Sequence, residues 1–199
     1  MRSAWFAPLA AAALAGLAST PGHAQVFTPS YMGPILSSDV GIYLSDGPGD
    51  LGIEGIWRAT RGGYDLGIRA GYADIGEDGA LMVGVEVRNP VVLSGAPIGL
   101  ALTASAQGIV GDFNVIGGAL GFTAGQAFTP QGSNFTLTPY IHPRLALLTG
   151  NLEGEDDLET TVLADLGIDL GFQNNFTVRF SAGLASEQAD FGLGISWRM

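Results

Sequence analysis

The chain has 199 residues, 31 glycines, no cysteine, no lysine and a formal charge of −11. That length fits one domain with either a substantial core or a closed barrel. The acidic balance argues against a nucleic-acid partner, because phosphate binding needs a basic face, and the missing cysteines exclude disulfide frameworks and thiolate metal sites.

Residues 1–24 are expected to be a signal peptide. Arg2 precedes an apolar run from Ala4 to Ala18, and Gly22-His23-Ala24 puts small residues at the −3 and −1 positions of a cleavage site before Gln25. The run is short and ends in STPGHA, unlike a membrane anchor. Residues 25–38 show no period, hold Pro29 and Pro34, and read as an N-terminal arm.

From Asp39 onward a period of two hardly stops. Ten segments carry it, at about 39–45, 51–60, 63–73, 80–88, 97–107, 114–125, 135–148, 160–172, 175–185 and 191–199. Most have roughly the 9–11 residues a tilted strand needs to cross a bilayer. Glycine-rich or polar breaks separate them, with no helix-period segment between, so neighbours are expected to pair as an up-and-down meander. An even number of such strands can close without leaving an edge. Residues 89–111 hold no charge, and a transmembrane helix is the rival there. Pro90, Gly95, Pro97, Gly99 and Gly108 oppose it, as does the alternation of Ile98, Leu100 and Leu102 with smaller residues.

Sorting the segments by parity gives two unlike faces. One is apolar and uncharged, as in Val40-Ile42-Leu44, Tyr64-Leu66-Ile68, Leu81-Val83-Val85-Val87 and Leu166-Ile168-Leu170. The other is rich in small residues and carries Asp39, Glu54, Arg58, Asp65, Arg69, Glu86, Arg88, His142, Arg144, Asp165, Asp169, Arg179 and Arg198. Apolar outside and polar inside is the pattern of a transmembrane barrel, and closure makes it admissible in lipid because every backbone polar group then finds a partner. The fold expected for 39–199 is therefore all-β, a transmembrane antiparallel up-and-down barrel of about ten strands, eight being possible. Outward aromatics, including Trp57, Tyr64, Phe122, Phe135, Phe172, Phe176 and Trp197, gather at one end as an interfacial girdle. Thirteen of the nineteen acidic residues lie in or beside the loops of the other end.

The last segment, FGLGISWRM, alternates Phe191, Leu193, Ile195, Trp197 and Met199 with small or polar residues. Here the chain resembles the small, porin-like outer-membrane β-barrel proteins of Gram-negative bacteria. The resemblance covers the signal and residues 39–199. It implies periplasmic termini, and hence a periplasmic arm at 25–38, acidic extracellular loops, and an assembly signal in those five residues read by the barrel-assembly machinery. Met199 stands where a terminal phenylalanine is usual in that family. Likeness of architecture identifies no activity.

Three constellations could carry chemistry. Six acids (Asp39, Glu54, Asp65, Glu86, Asp165, Asp169) and six arginines (Arg58, Arg69, Arg88, Arg144, Arg179, Arg198) are expected to pair, because enclosed charges are costly unless paired. His142, the one histidine after residue 24, could act with Asp165 or Asp169 in a lumenal hydrolase. Glu153, Glu155, Asp156 and Asp157 form a weak candidate site for divalent cations near outer-membrane lipid. The leading reading is a non-enzymatic structural or narrow-pore barrel, with the hydrolase and a surface adhesin as alternatives. No cofactor is expected. Gly117 and Gly121 fall on the small-residue side of the lumen, where a narrow water path is expected.

Overall fold

The computed structural model describes residues 29–47, 51–75, 78–111, 114–151, 156–184 and 189–199. The expected signal peptide, and Glu153 and Glu155, lie outside them. Ten strands follow one another: β1 (Asp39–Ser45), β2 (Leu51–Arg61), β3 (Tyr64–Ile75), β4 (Asp78–Val91), β5 (Gly99–Val110), β6 (Asn114–Gly125), β7 (Phe135–Asn151), β8 (Asp156–Phe172), β9 (Phe176–Leu184) and β10 (Ala189–Arg198). Each pairs antiparallel with its neighbours in sequence, and β1 meets β10 from Asp39↔Arg198 to Ser45↔Gly192, closing the barrel. Among the described residues no helix is long and apolar enough to cross a membrane; the uncharged stretch 89–111 runs from the end of β4 through β5.

The alternation in sequence becomes alternation in space because successive side chains of a strand point to opposite faces. Val40, Ile42, Leu66, Ile68, Val83, Val85, Leu166 and Ile168 are exposed on the outside. Of the charged residues assigned to the other face, Asp39, Glu54, Arg58, Asp65, Arg69, Glu86, Arg88, Arg144, Asp165 and Arg179 are buried, and His142 with them. The outward aromatics form a continuous row at one end: Phe135, Phe172, Phe176 and Trp197 stack with ring centroids 6.3, 6.0 and 5.5 Å apart. Strands β7 and β8 have 17 residues each, roughly 55 Å of chain and well beyond the roughly 30 Å of a hydrocarbon core.

The glycine-rich side of the lumen is packed. A Cβ at Gly121 would overlap the Pro143 carbonyl oxygen and lie 2.8 Å from Arg144 Cβ. One at Gly117 would overlap Leu148, and one at Gly125 would lie 2.8 Å from Tyr140 Cβ. Gly117, Gly121 and Gly125 of β6 are thus seats for Leu148, Arg144 and Tyr140 of β7. Gly121→Ala is expected to destabilise the barrel by about 1–3 kcal/mol through overpacking. Gly55→Ala serves as the control, because a Cβ there meets nothing closer than 3.9 Å. Urea unfolding in detergent, followed by tryptophan fluorescence, would measure both.

The residues before β1 depart most from expectation. The described part of the arm enters the lumen: Ser30, Tyr31 and Met32 are buried. Ser38 marks the aromatic end, where its hydroxyl accepts from Thr60 N at 3.0 Å and its carbonyl from Met199 N at 3.0 Å. From there the chain runs back through the barrel to Tyr31, whose hydroxyl donates to Leu44 O at 3.0 Å. The Tyr31 and Tyr43 rings lie 4.5 Å apart. Tyr31 holds a positive φ of 53°, a left-handed conformation that costs a side-chain-bearing residue about 1–2 kcal/mol, so its surroundings fix it. Toward the end away from the aromatic row, Ala73, Ala80, Met82, Ile109, Val115 and Leu148 make an apolar cluster across the lumen.

Candidate functional site in the barrel lumen

Inward positions on β1 to β4 and β7 to β9 carry the charges, and alternation alone brings them into one space. Arg69 is clasped by Glu54, with Nε to Oε2 at 2.8 Å and Nη2 to Oε1 at 2.5 Å, the two-point geometry that makes arginine–carboxylate pairs strong. Arg58 donates through Nε to Glu86 and lies 3.7 Å from Asp39; Glu86 also lies 3.7 Å from Arg69. Arg179 joins Asp39 at 2.6 Å and Asp169 at 3.3 Å, and donates to the Tyr43 hydroxyl at 2.7 Å. These residues form one chain of alternating charge around the wall. Arg88 also pairs with Asp65 at 2.5 Å, and Arg144 with Asp165 at 3.2 Å.

Arg198 does not join them. It is exposed at the aromatic end and makes no ion pair among the described residues. Its register partner is Asp39, whose carboxylate is taken by Arg58 and Arg179. Arg198 instead borders a cavity of about 230 Å³ with Asp169, Thr138, Arg179 and the arm residues Ile35 to Ser37.

His142 stands beside Asp165, as the hydrolase alternative requires, whereas Asp169 turns to Arg179. Its Nδ1 lies 2.6 Å from Ser30 Oγ and 3.2 Å from Asp165 Oδ2. Ser30 Oγ also donates to Asp165 Oδ2 at 2.5 Å. A nucleophile and an orienting acid must sit on opposite ring nitrogens; Ser30 and Asp165 share one. Thr103 Oγ1 does lie at the other nitrogen, 2.8 Å from Nε2. Thr103, His142 and Asp165 are all buried, with Ser30 packed on them, so a substrate has no approach while the arm is in place.

No protein-family model matches the chain, and no curated protein matches it. Among solved structures it is similar to outer-membrane β-barrel proteins. The KdgM porin is 12% identical with a TM-score of 0.44, covering 82% of this chain and 99% of that one. The outer membrane protein Omp33 of Acinetobacter baumannii is 10% identical with a TM-score of 0.36, covering 84% and 100%. Ail, the attachment invasion locus protein of Yersinia pestis, is 10% identical with a TM-score of 0.29, covering 83% and 100%.

Elsewhere the arrangement offers little for chemistry. Among the described residues no three carboxylates or imidazoles gather as a metal site. Asp156 and Asp157 belong to the backbone ladder of β8, opposite Asn151 and Gly150 of β7. Phe191, Leu193, Ile195, Trp197 and Met199 are exposed along the outer face at the C-terminus.

Proposed function

We propose that the protein is a non-enzymatic outer-membrane β-barrel of a Gram-negative bacterium, structural or narrow-pore, with an ion-paired lumen. One observation carries this reading: a closed wall whose exposed mid-strand residues are apolar while the mid-strand charges are buried inside. Lipid demands that arrangement. The aromatic row suits an interface with headgroups, and the family resemblance gives the orientation, with the termini and the aromatic end in the periplasm and acidic loops outside. In this reading the export signal is removed and the outward row from Phe191 to Met199 serves assembly. The acidic outer loops concentrate divalent cations weakly, an effect that salt screens.

A lumen crossed by paired arginines conducts poorly. The refolded protein in a planar bilayer is expected to show low unitary conductance, rising when Arg69 or Arg144, both buried, is shortened to alanine. A wide pore in the unaltered protein would be inconsistent with five buried arginines and their acids filling the space. A lumenal hydrolase is the second reading, favoured by the Thr103–His142–Asp165 contacts. It requires an activity that His142→Ala abolishes.

A further inference from the structure

We propose that the lumen wall is a binding site for an extended peptide main chain, that residues 29–36 are its resident ligand, and that their release opens the barrel. The inference rests on the membrane-barrel reading above.

Residues 29–38 form no strand and pair with none of the ten. What grips them is a row of guanidinium donors aimed at backbone carbonyls. Arg88 Nη1 donates to Gly33 O at 2.6 Å and to Ile35 O at 3.5 Å. Arg58 Nη2 donates to Tyr31 O at 3.3 Å, and Arg69 Nη1 to Ser30 O at 3.3 Å. These arginines stand on β2, β3 and β4, and each is already held by a wall carboxylate: Glu86, Glu54 or Asp65. The donor row is therefore set by the wall and persists without the segment. Buried, pre-oriented donors of this kind hold an acceptor more firmly than mobile surface ones.

Two further contacts give the site register. Ser30 Oγ reaches both His142 and Asp165. Tyr31 fills a seat left by Gly192, where a Cβ would overlap its hydroxyl.

Nothing in the charge balance ties the segment down. Residues 29–38, PSYMGPILSS, carry no charge, so their departure leaves every wall ion pair intact. They are anchored at Ser38, and the 230 Å³ cavity beside Ile35 to Ser37 gives that end room to move.

Planar-bilayer recordings on the refolded full chain and on a variant lacking residues 29–36 test this. The deletion is expected to raise unitary conductance several-fold. A synthetic peptide of residues 29–38 should lower it again in a dose-dependent way, and a scrambled peptide should not. Unchanged conductance, or an open variant indifferent to the peptide, would overturn the proposal. Should the deletion not refold, Gly192→Leu in the intact chain displaces Tyr31 from its seat. It should produce openings that the unaltered protein lacks, and its staying closed would count equally against the proposal. If all forms insert and are equally closed, the main-chain site fails while the barrel reading stands. If none inserts into a bilayer, both fail.

Discussion

Replacing Asp65 with alanine should destabilise the folded barrel by about 3–5 kcal/mol, because it leaves a buried guanidinium without its counter-charge. Asp65 is 1% exposed and makes the ion pair of Arg88, itself 1% exposed. The same carboxylate accepts from the Thr60 hydroxyl at 2.5 Å and from Ser37 N at 3.3 Å, so the loss extends to the mouth of the arm. Equilibrium unfolding in detergent would give the size of the effect. Combining Asp65→Ala with Arg88→Met should recover part of it, since removing both charges removes the penalty of stranding one. A double variant as unstable as the sum of the singles would show that the two residues do not act as a pair.

Val85→Arg should cost about 2–4 kcal/mol, with Leu51→Arg costing about 0–1 kcal/mol, because the penalty for arginine on a lipid-facing position falls from midplane to interface. Val85 lies near the middle of the outward face of β4 opposite Ile68, and Leu51 begins β2; all three are exposed. Refolding into vesicles and titrating with denaturant gives both numbers. Equal costs at the two depths would mean that this face does not sit in a bilayer.

The strands were legible from the sequence because the outside of this barrel is largely apolar and uncharged, which keeps the period of two visible over most of each strand. Ends were less so. β8 begins at Asp156 rather than near 160, because acidic residues read as loop even where the backbone ladder with β7 continues past the lipid. Parity gives the face of a residue and says little about its depth, so Arg198 was grouped with the enclosed charges although it sits at the mouth. Gly117 and Gly121 of β6 looked like vacant wall, since the side chains that cover them, Leu148 and Arg144, lie 31 and 23 residues further along. The arm was opaque for a related reason. Its partners Leu44, Arg88, His142 and Asp165 are scattered along the chain, and residues 29–38 have neither charge nor period to announce them. Met82 and Ile109 were hidden inside continuous apolar runs, LMV and IV, that conceal which member turns inward.

The seam between β1 and β10 bears on the order in which the molecule is made. The arm runs directly into β1, which pairs across the seam with β10, the strand farthest from it in sequence. The guanidinium groups that donate to its carbonyls stand on β2, β3 and β4, next to β1 on the side away from the seam, so an open sheet can already hold it. The seat at Gly192 and the bond from Arg179 to Asp39 belong to β10 and β9 and form only as the curl shuts. Filling and closing are then coupled, because the contacts that hold the arm and those that shut the seam share β1 and its neighbours.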